Sequence, residues 1–237
     1  MKRVWRLALI ALVVAAVGFG IYVSDDYRAT DAALACLDGD GGPRVKLVDG
    51  TFCIETQGAR DGLAFYPGGK VQAEAYLPLL MRVAEAGIDC YLVKMPFNLA
   101  VFGVNRVEGV MADHPHERWL LAGHSLGGAM AAQWAADHPG RLNGLVLLAA
   151  YSAKKLPEDL PVVVLYGSED KVLDRKNLEK SMDLLPPNTV VEQLPGGNHA
   201  CFGSYGEQKG DGKATIAPER QGDGTAKWIC NLCQSML

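Results

Sequence analysis

The stretch Trp119-Leu120-Leu121-Ala122-Gly123-His124-Ser125-Leu126-Gly127-Gly128-Ala129 decides how this chain folds. Trp119 to Ala122 is apolar and reads as a buried strand, and the Ala-rich run Ala129 to Ala136 reads as a helix. Between them lies Gly-x-Ser-x-Gly, the pattern of a nucleophile elbow. A serine on so sharp a strand-to-helix turn takes strained backbone angles and lifts its hydroxyl clear of the sheet. Gly123 and Gly127 belong there because a Cβ at either would collide across the turn. The helix start also points free amides at the same spot, where an oxyanion can form.

On either side the chain alternates between strands and helices. Upstream, Gly62 to Tyr66 reads as a strand ending in Pro67-Gly68-Gly69. Ala73 to Ala86 has apolar residues at helical spacing, closed by Gly87. Asp89 to Lys94 is a strand stopped by Pro96, and Asn98 to Ala112 reads as a helix. Downstream, Gly144 to Ala149 and Pro161 to Tyr166 are near-continuous apolar strands. Lys176 to Leu185 is helical, Thr189 to Leu194 is a strand, and Ile216 to Met236 holds the last helix. Strands apolar throughout, alternating with helices, predict a mostly parallel sheet with helices on both faces.

Residues 62–237 are therefore expected to form one α/β domain, within the reach of a single core. Residues 25–61 form an N-terminal extension, with a short helix near Ala29 to Leu37 and a loop at Asp38 to Pro43. A hairpin of Val45–Val48 and Thr51–Thr56 follows, turning at Asp49-Gly50. In residues 1–24, Lys2, Arg3 and Arg6 precede the uncharged run Leu7 to Val23. That pattern predicts a signal anchor (a transmembrane helix) or a cleaved signal peptide. No Ala-x-Ala lies just after the run, which favours the uncleaved anchor. The expected location is then membrane-anchored with an extracytoplasmic domain, or secreted if the segment is cut.

The formal net charge of −4, with no basic block beyond the first residues, excludes nucleic acid as a partner. An extracytoplasmic domain with six cysteines admits disulfides. Cys36 and Cys53 flank the same early segment and are the expected bridge, while Cys90 in a buried strand reads as a core thiol. Cys230-x-x-Cys233 lacks two further ligands for zinc, so no metal is expected.

A serine hydroxyl is a poor nucleophile until a base removes its proton, and that base is commonly a histidine held by a carboxylate. In a parallel sheet these groups leave the C-terminal ends of strands, in the chain order Ser, acid, His. Asp170 follows the strand ending at Tyr166, with Glu169 as its rival and Asp174 reading as a helix opener. His199 follows the strand ending at Leu194. His138 sits at a helix end, His114 and His116 flank Pro115 in a loop and read as surface residues, and His124 packs locally. The catalytic set is therefore Ser125, Asp170 and His199. The amides of Leu126 and Gly69 are the expected oxyanion donors. Gly68, Lys70, Asn98, Phe202 and Tyr205 are candidate pocket residues, the last two from the Gly-rich segment Ala200 to Lys213.

Ser125 in Gly-His-Ser-Leu-Gly-Gly, Asp170 in Tyr-Gly-Ser-Glu-Asp and His199 in Gly-Gly-Asn-His resemble the α/β-hydrolase superfamily, over Gly62 to about Leu232. The runs Gly62 to Val71 and Val93 to Ala100 resemble a bacterial subgroup near the dienelactone-hydrolase-like branch. The resemblance implies an α/β-hydrolase fold. True dienelactone hydrolases carry a Cys nucleophile and haloalkane dehalogenases an Asp, so Ser125 points to ordinary ester chemistry. Two departures stand out. Pro67-Gly68-Gly69 replaces the usual His-Gly oxyanion loop, and only Tyr151 to Leu160 stands where a lid usually enters, so no cap domain is expected.

The expected activity is a serine hydrolase that cleaves carboxylic esters or related small-molecule acyl compounds through an acyl-enzyme, without a cofactor. Two alternatives stay open: a non-catalytic binding module of the same fold at the cell envelope, and an acyltransferase.

Overall fold

A computed structural model describes residues 2–39 and 43–235. Residues 40–42 of the expected loop and residues 236–237 after the last helix lie outside the described residues. In chain order the elements are α1 (Lys2–Ser24), α2 (Asp31–Leu34), β1 (Val45–Val48), β2 (Thr51–Ile54), β3 (Asp61–Tyr66) and α3 (Leu77–Glu85). Next come β4 (Asp89–Val93), α4 (Arg106–Asp113), β5 (Arg118–His124), α5 (Leu126–Asp137) and β6 (Gly144–Leu148). The chain closes with β7 (Val162–Gly167), α6 (Arg175–Ser181), β8 (Val190–Leu194) and α7 (Pro218–Gln234).

The strands form one eight-stranded sheet in the order β1-β2-β4-β3-β5-β6-β7-β8. β3 to β8 run parallel, and β1 and β2 add an antiparallel edge through β4. The Asp49-Gly50 signal is the turn of that edge hairpin, with both residues at positive φ (45° and 78°).

Side-chain alternation divides the core into two layers. Leu63, Phe65, Leu120, Ala122, Val146 and Leu148 face α3 and α7, packing with Leu80, Val83, Ile229 and Leu232. Ala64, Tyr66, Leu121, Leu145, Leu147 and Val164 face the other way, onto Val107 and Val110 of α4, Trp134 of α5 and Leu178 of α6. Strands buried on both faces are apolar at every position, which is why these segments read as continuous runs. Between β6 and β7, Tyr151 to Leu160 holds no helix or strand, so no cap covers that side.

Three expectations are corrected. Among the described residues no helix is long and apolar enough to cross a membrane. The uncharged run Leu7 to Val23 rises only about 25 Å as a helix, short of a hydrocarbon core of about 30 Å. Toward the end of α1, Phe19 packs on Phe97 and Phe102 of the domain, with ring centroids 5.3 and 6.0 Å apart. The signal anchor, the transmembrane helix, membrane attachment through residues 1–24 and the location drawn from them are withdrawn. The expected helix from Asn98 to Ala112 begins only at Arg106, because Phe97 and Asn98 take positive φ (56° and 54°) and break the chain into short 3₁₀ turns. Cys36 and Cys53 do not bridge; both are free thiols. Cys36 packs against one core layer while Cys53 belongs to the other, so the sheet lies between them.

Candidate active site

Ser125 is built by the close approach of β5, α5 and β3. It takes φ 52° and ψ −121°, a conformation side-chain-bearing residues rarely adopt. Its amide donates to Leu148 O (2.8 Å) and its carbonyl accepts from Ala129 N (3.0 Å), fixing the turn on both sides. A Cβ on Gly123 would lie 2.6 Å from the backbone of Gly127 and Gly128. A Cβ on Gly127 would lie 2.2 Å from Tyr66 O and 2.3 Å from Pro67 O. The second glycine is thus demanded by β3 beneath the helix rather than by the turn itself.

Asp170 and His199 leave the ends of β7 and β8. Asp170 Oδ1 accepts from the amides of Val172 and Leu173 (both 2.8 Å), which orients the carboxylate, and Oδ2 accepts from His199 Nδ1 at 2.9 Å. Burial alone would raise this carboxyl. The hydrogen bond from His199, its charge and the two amides outweigh burial and hold it below the usual carboxylate value. Its rival Glu169 accepts instead from its neighbour Ser168 Oγ (2.9 Å), and Asp174 caps α6 through Asn177 N (3.1 Å).

Nδ1 is committed to Asp170, so Nε2 is the ring nitrogen left open. Nε2 is buried and has no hydrogen-bond partner. The Ser125 hydroxyl is not hydrogen-bonded to it; contacts of this kind commonly tighten when substrate binds. The loop carrying His199 is stapled from outside. Asn198 N donates to Gln221 Oε1 (3.0 Å), Gln221 Nε2 returns a bond to Asn198 O (2.8 Å), and Ala200 N donates to Asp211 Oδ2 (2.9 Å). A cavity of about 750 Å3 on the far side of this loop, lined by Asn198, Ala200, Cys201, Asp211 and Ile216 among others, includes neither Ser125 nor His199.

The two residues expected to supply the oxyanion donors, Leu126 and Gly69, are neighbours in space. Leu126 is the first residue of α5, so its amide has no intrahelical acceptor. Gly69 abuts it so closely that a Cβ would meet the Leu126 side chain at 2.9 Å. Gly68 lies behind, with its amide bonded to Tyr76 Oη (3.0 Å). Lys70 and Asn98 are coupled by Lys70 N donating to Asn98 O (2.7 Å), and both side chains turn to the segment after α1. Lys70 Nζ reaches Asp25 (3.2 Å) and Asn98 Nδ2 reaches Asp26 (2.8 Å).

The other aromatic and histidine readings need revision. Phe202 and Tyr205 are buried core residues rather than pocket walls, because the 3₁₀ turn Ala200–Phe202 folds inward behind the site. Phe202 packs 5.5 Å from the His124 ring, and Tyr205 packs 5.5 Å from Tyr27. His116 is no surface residue: it is bonded to Tyr91 Oη (2.8 Å) and lies 3.6 Å from Asp89. His114 pairs with Glu55 (3.1 Å). His138 stacks on Trp134 (4.4 Å) at the end of α5, as a helix-terminal residue should. Tyr76, Asn198, Gln221 and Asp211 carry no short-range sequence signal, since each acts on a partner many residues away.

The comparisons with known proteins agree with this architecture. The model of the alpha/beta hydrolase family matches residues 62–223, so the chain belongs to that family. A protein of Mycobacterium phage D29 named "Putative non-heme haloperoxidase" is 31% identical over 129 residues, covering 50% of this chain and 46% of the relative. The match thus spans about half the length of that curated relative. Among solved structures, monoacylglycerol lipase from Paleococcus ferrophilus superposes with a TM-score of 0.59 at 14% identity, over 80% of this chain and 99% of that one. Dienelactone hydrolase from Anabaena variabilis does so with a TM-score of 0.57 at 16% identity, over 80% and 98%. At such identities the likeness is one of fold.

Proposed function

We propose that this member of the alpha/beta hydrolase family is a serine hydrolase of carboxylic esters or related acyl compounds. The observation that carries the reading is the buried His199, bonded through Nδ1 to Asp170 at 2.9 Å with Nε2 left open, its ring 4.6 Å from that of His124, which directly precedes a serine held at φ 52°.

Ser125 Oγ attacks the acyl carbon while His199 Nε2 takes its proton. Asp170 holds the imidazole in the tautomer that makes Nε2 basic and stabilises the imidazolium that forms. The negative charge on the carbonyl oxygen is met by the amides of Leu126 and Gly69. His199 then passes its proton to the leaving alkoxide, and the acyl group stays on Ser125. Water, deprotonated by His199, releases the acid and restores the serine. Each oxyanion donor contributes about 3–4 kcal/mol to such a barrier.

Exposed apolar side chains near Gly69 favour an apolar acyl or alkyl group. Phe97, Val101 and Phe102 are exposed beside Asn98, in the loop joined to Lys70. The test is a panel of p-nitrophenyl esters of rising acyl length. Turnover by the wild-type protein should fall by at least ~10⁴-fold in Ser125→Ala. Turnover that survives Ser125→Ala rejects the proposal.

A further inference from the structure

Gly68 is pressed against two side chains that the triad does not use. A Cβ on it would lie 2.8 Å from Tyr76 Oη and 2.9 Å from His124 Nδ1. Those two atoms are themselves 2.8 Å apart, and the Gly68 amide donates to Tyr76 Oη at 3.0 Å. Tyr76 and His124 are both buried, and the Tyr76 ring is backed by Phe65 at 4.9 Å. Three groups therefore form a chain: Gly68 N–H to Tyr76 Oη, and Tyr76 Oη–H to His124 Nδ1.

Hydrogen counting fixes the direction of that chain. The Gly68 amide can only donate, so Tyr76 Oη accepts from it, and His124 Nδ1 is the one acceptor within reach of the phenol proton among the described residues. His124 must then be neutral with its own proton on Nε2. Burial, and next the adjacent His199, hold the His124 imidazole well below its usual value, and burial keeps the Tyr76 phenol protonated. Both partners are thus in the required state throughout the neutral range.

The loop they hold needs holding. Gly68 and Gly69 have no side chains to anchor them, and glycine backbone wanders more freely than any other. The amide before Gly69 is fixed by Tyr76, and the amide after it, on Lys70, is fixed by Asn98 O at 2.7 Å. The Gly69 amide between them has no acceptor among the described residues. This is the arrangement of a preorganised donor: clamped on both sides, and itself left open.

We propose that Tyr76 and His124 are positioning residues that hold the Gly68-Gly69 backbone in register for the oxyanion. The proposal rests on the serine-hydrolase reading above. His124, at the variable position of Gly-x-Ser-x-Gly, thereby ties the oxyanion loop to the nucleophile's own strand. Pro67 has no side-chain donor with which to do so, and Tyr76 supplies the reach.

The test compares wild type, Tyr76→Phe, His124→Leu, His124→Asn and the Tyr76→Phe/His124→Leu double variant. Rates of p-nitrophenyl ester hydrolysis are expressed per active site titrated with a fluorophosphonate, so misfolded protein is not counted. Tyr76→Phe and His124→Leu should each lower kcat by ~10–100-fold, less than loss of a whole oxyanion donor, with KM within about twofold. Affinity for a trifluoromethyl ketone, which mimics the oxyanion, should fall by the same factor. The double variant should be no worse than either single one, since both break one chain. His124→Asn, whose side-chain oxygen can accept where Nδ1 did, should recover most of the rate. Tyr76→Phe with wild-type kcat and wild-type ketone affinity overturns the proposal, as do additive single effects. If wild type itself fails to label on Ser125, the hydrolase reading falls and this proposal with it. Labelling with an indifferent Tyr76→Phe removes this proposal alone.

Discussion

The two ends of the parallel strands both gather ionisable groups, but they treat them in opposite ways. At the end where the strands begin, each group is paired. Asp61 meets Arg118 (2.5 Å) and accepts from Cys233 Sγ (3.0 Å), His116 is held by Tyr91 and Asp89, and His114 by Glu55. At the end where the strands finish, the two buried unpartnered side-chain nitrogens found among the described residues sit together. They are the Nε2 atoms of His124 and His199, in rings 4.6 Å apart. Backbone strain divides the same way. Lys70, Phe97, Asn98, Ser125 and Ala149 all take positive φ at the finishing end, while Asp49 in its hairpin is the sole other non-glycine case among the described residues. Paired groups on relaxed backbone are structural. Unpaired groups on strained backbone are maintained at the expense of stability, which is what favours that end as the site of the proposed chemistry.

Substitutions at the two ends should therefore separate activity from stability. The largest effect belongs to Ser125→Ala, which should remove ester turnover by at least ~10⁴-fold while leaving the melting temperature unchanged or raised, since alanine drops the hydroxyl without altering the elbow. Asp170→Asn should lower kcat by ~10³–10⁴-fold, because the amide no longer fixes the His199 tautomer. A steady-state assay beside a thermal melt reads both.

At the opposite end, Tyr91→Phe removes one bond to His116 and should cost about 1 kcal/mol in a denaturant titration, with kcat untouched. A fall in kcat there would break the contrast between the two ends. The smallest effect is on pH dependence. Asp170 titrates lower in the folded chain than in the unfolded one. Its pairing therefore stabilises the fold above the unfolded value of about 3.9, and that contribution is lost as pH falls through the lower folded value. Chemical denaturation between pH 5 and 3 should show a shallower loss of stability in Asp170→Asn than in wild type.

What could be read from the sequence was local. The elbow, the Asp49-Gly50 hairpin and the apolar strands each carry their cause within a few residues, so they were legible. The placement of Ser125, Asp170 and His199 at the ends of β5, β7 and β8 is legible because strand ends in a parallel sheet restrict where such groups can stand. The failures share the opposite property. His116 looked like a surface residue because its partners, Asp89 and Tyr91, lie on a strand more than twenty residues earlier. Phe202 and Tyr205 looked like pocket walls because a Gly-rich segment suggests exposure, and nothing nearby reveals the inward 3₁₀ turn. The helix expected from Asn98 failed because two positive-φ residues cannot be foreseen from apolar spacing. Tyr76 is the clearest case: it is an ordinary core aromatic until the fold brings Gly68 and His124 to its hydroxyl.

The most direct measurement is an intact-mass spectrum after exposure to a fluorophosphonate, with wild type, Ser125→Ala and His199→Ala side by side. A single adduct on wild type, absent from Ser125→Ala and much slower to form on His199→Ala, is the result predicted for an activated serine. A folded wild-type protein that takes up no adduct, or one that labels equally without Ser125, would contradict the account.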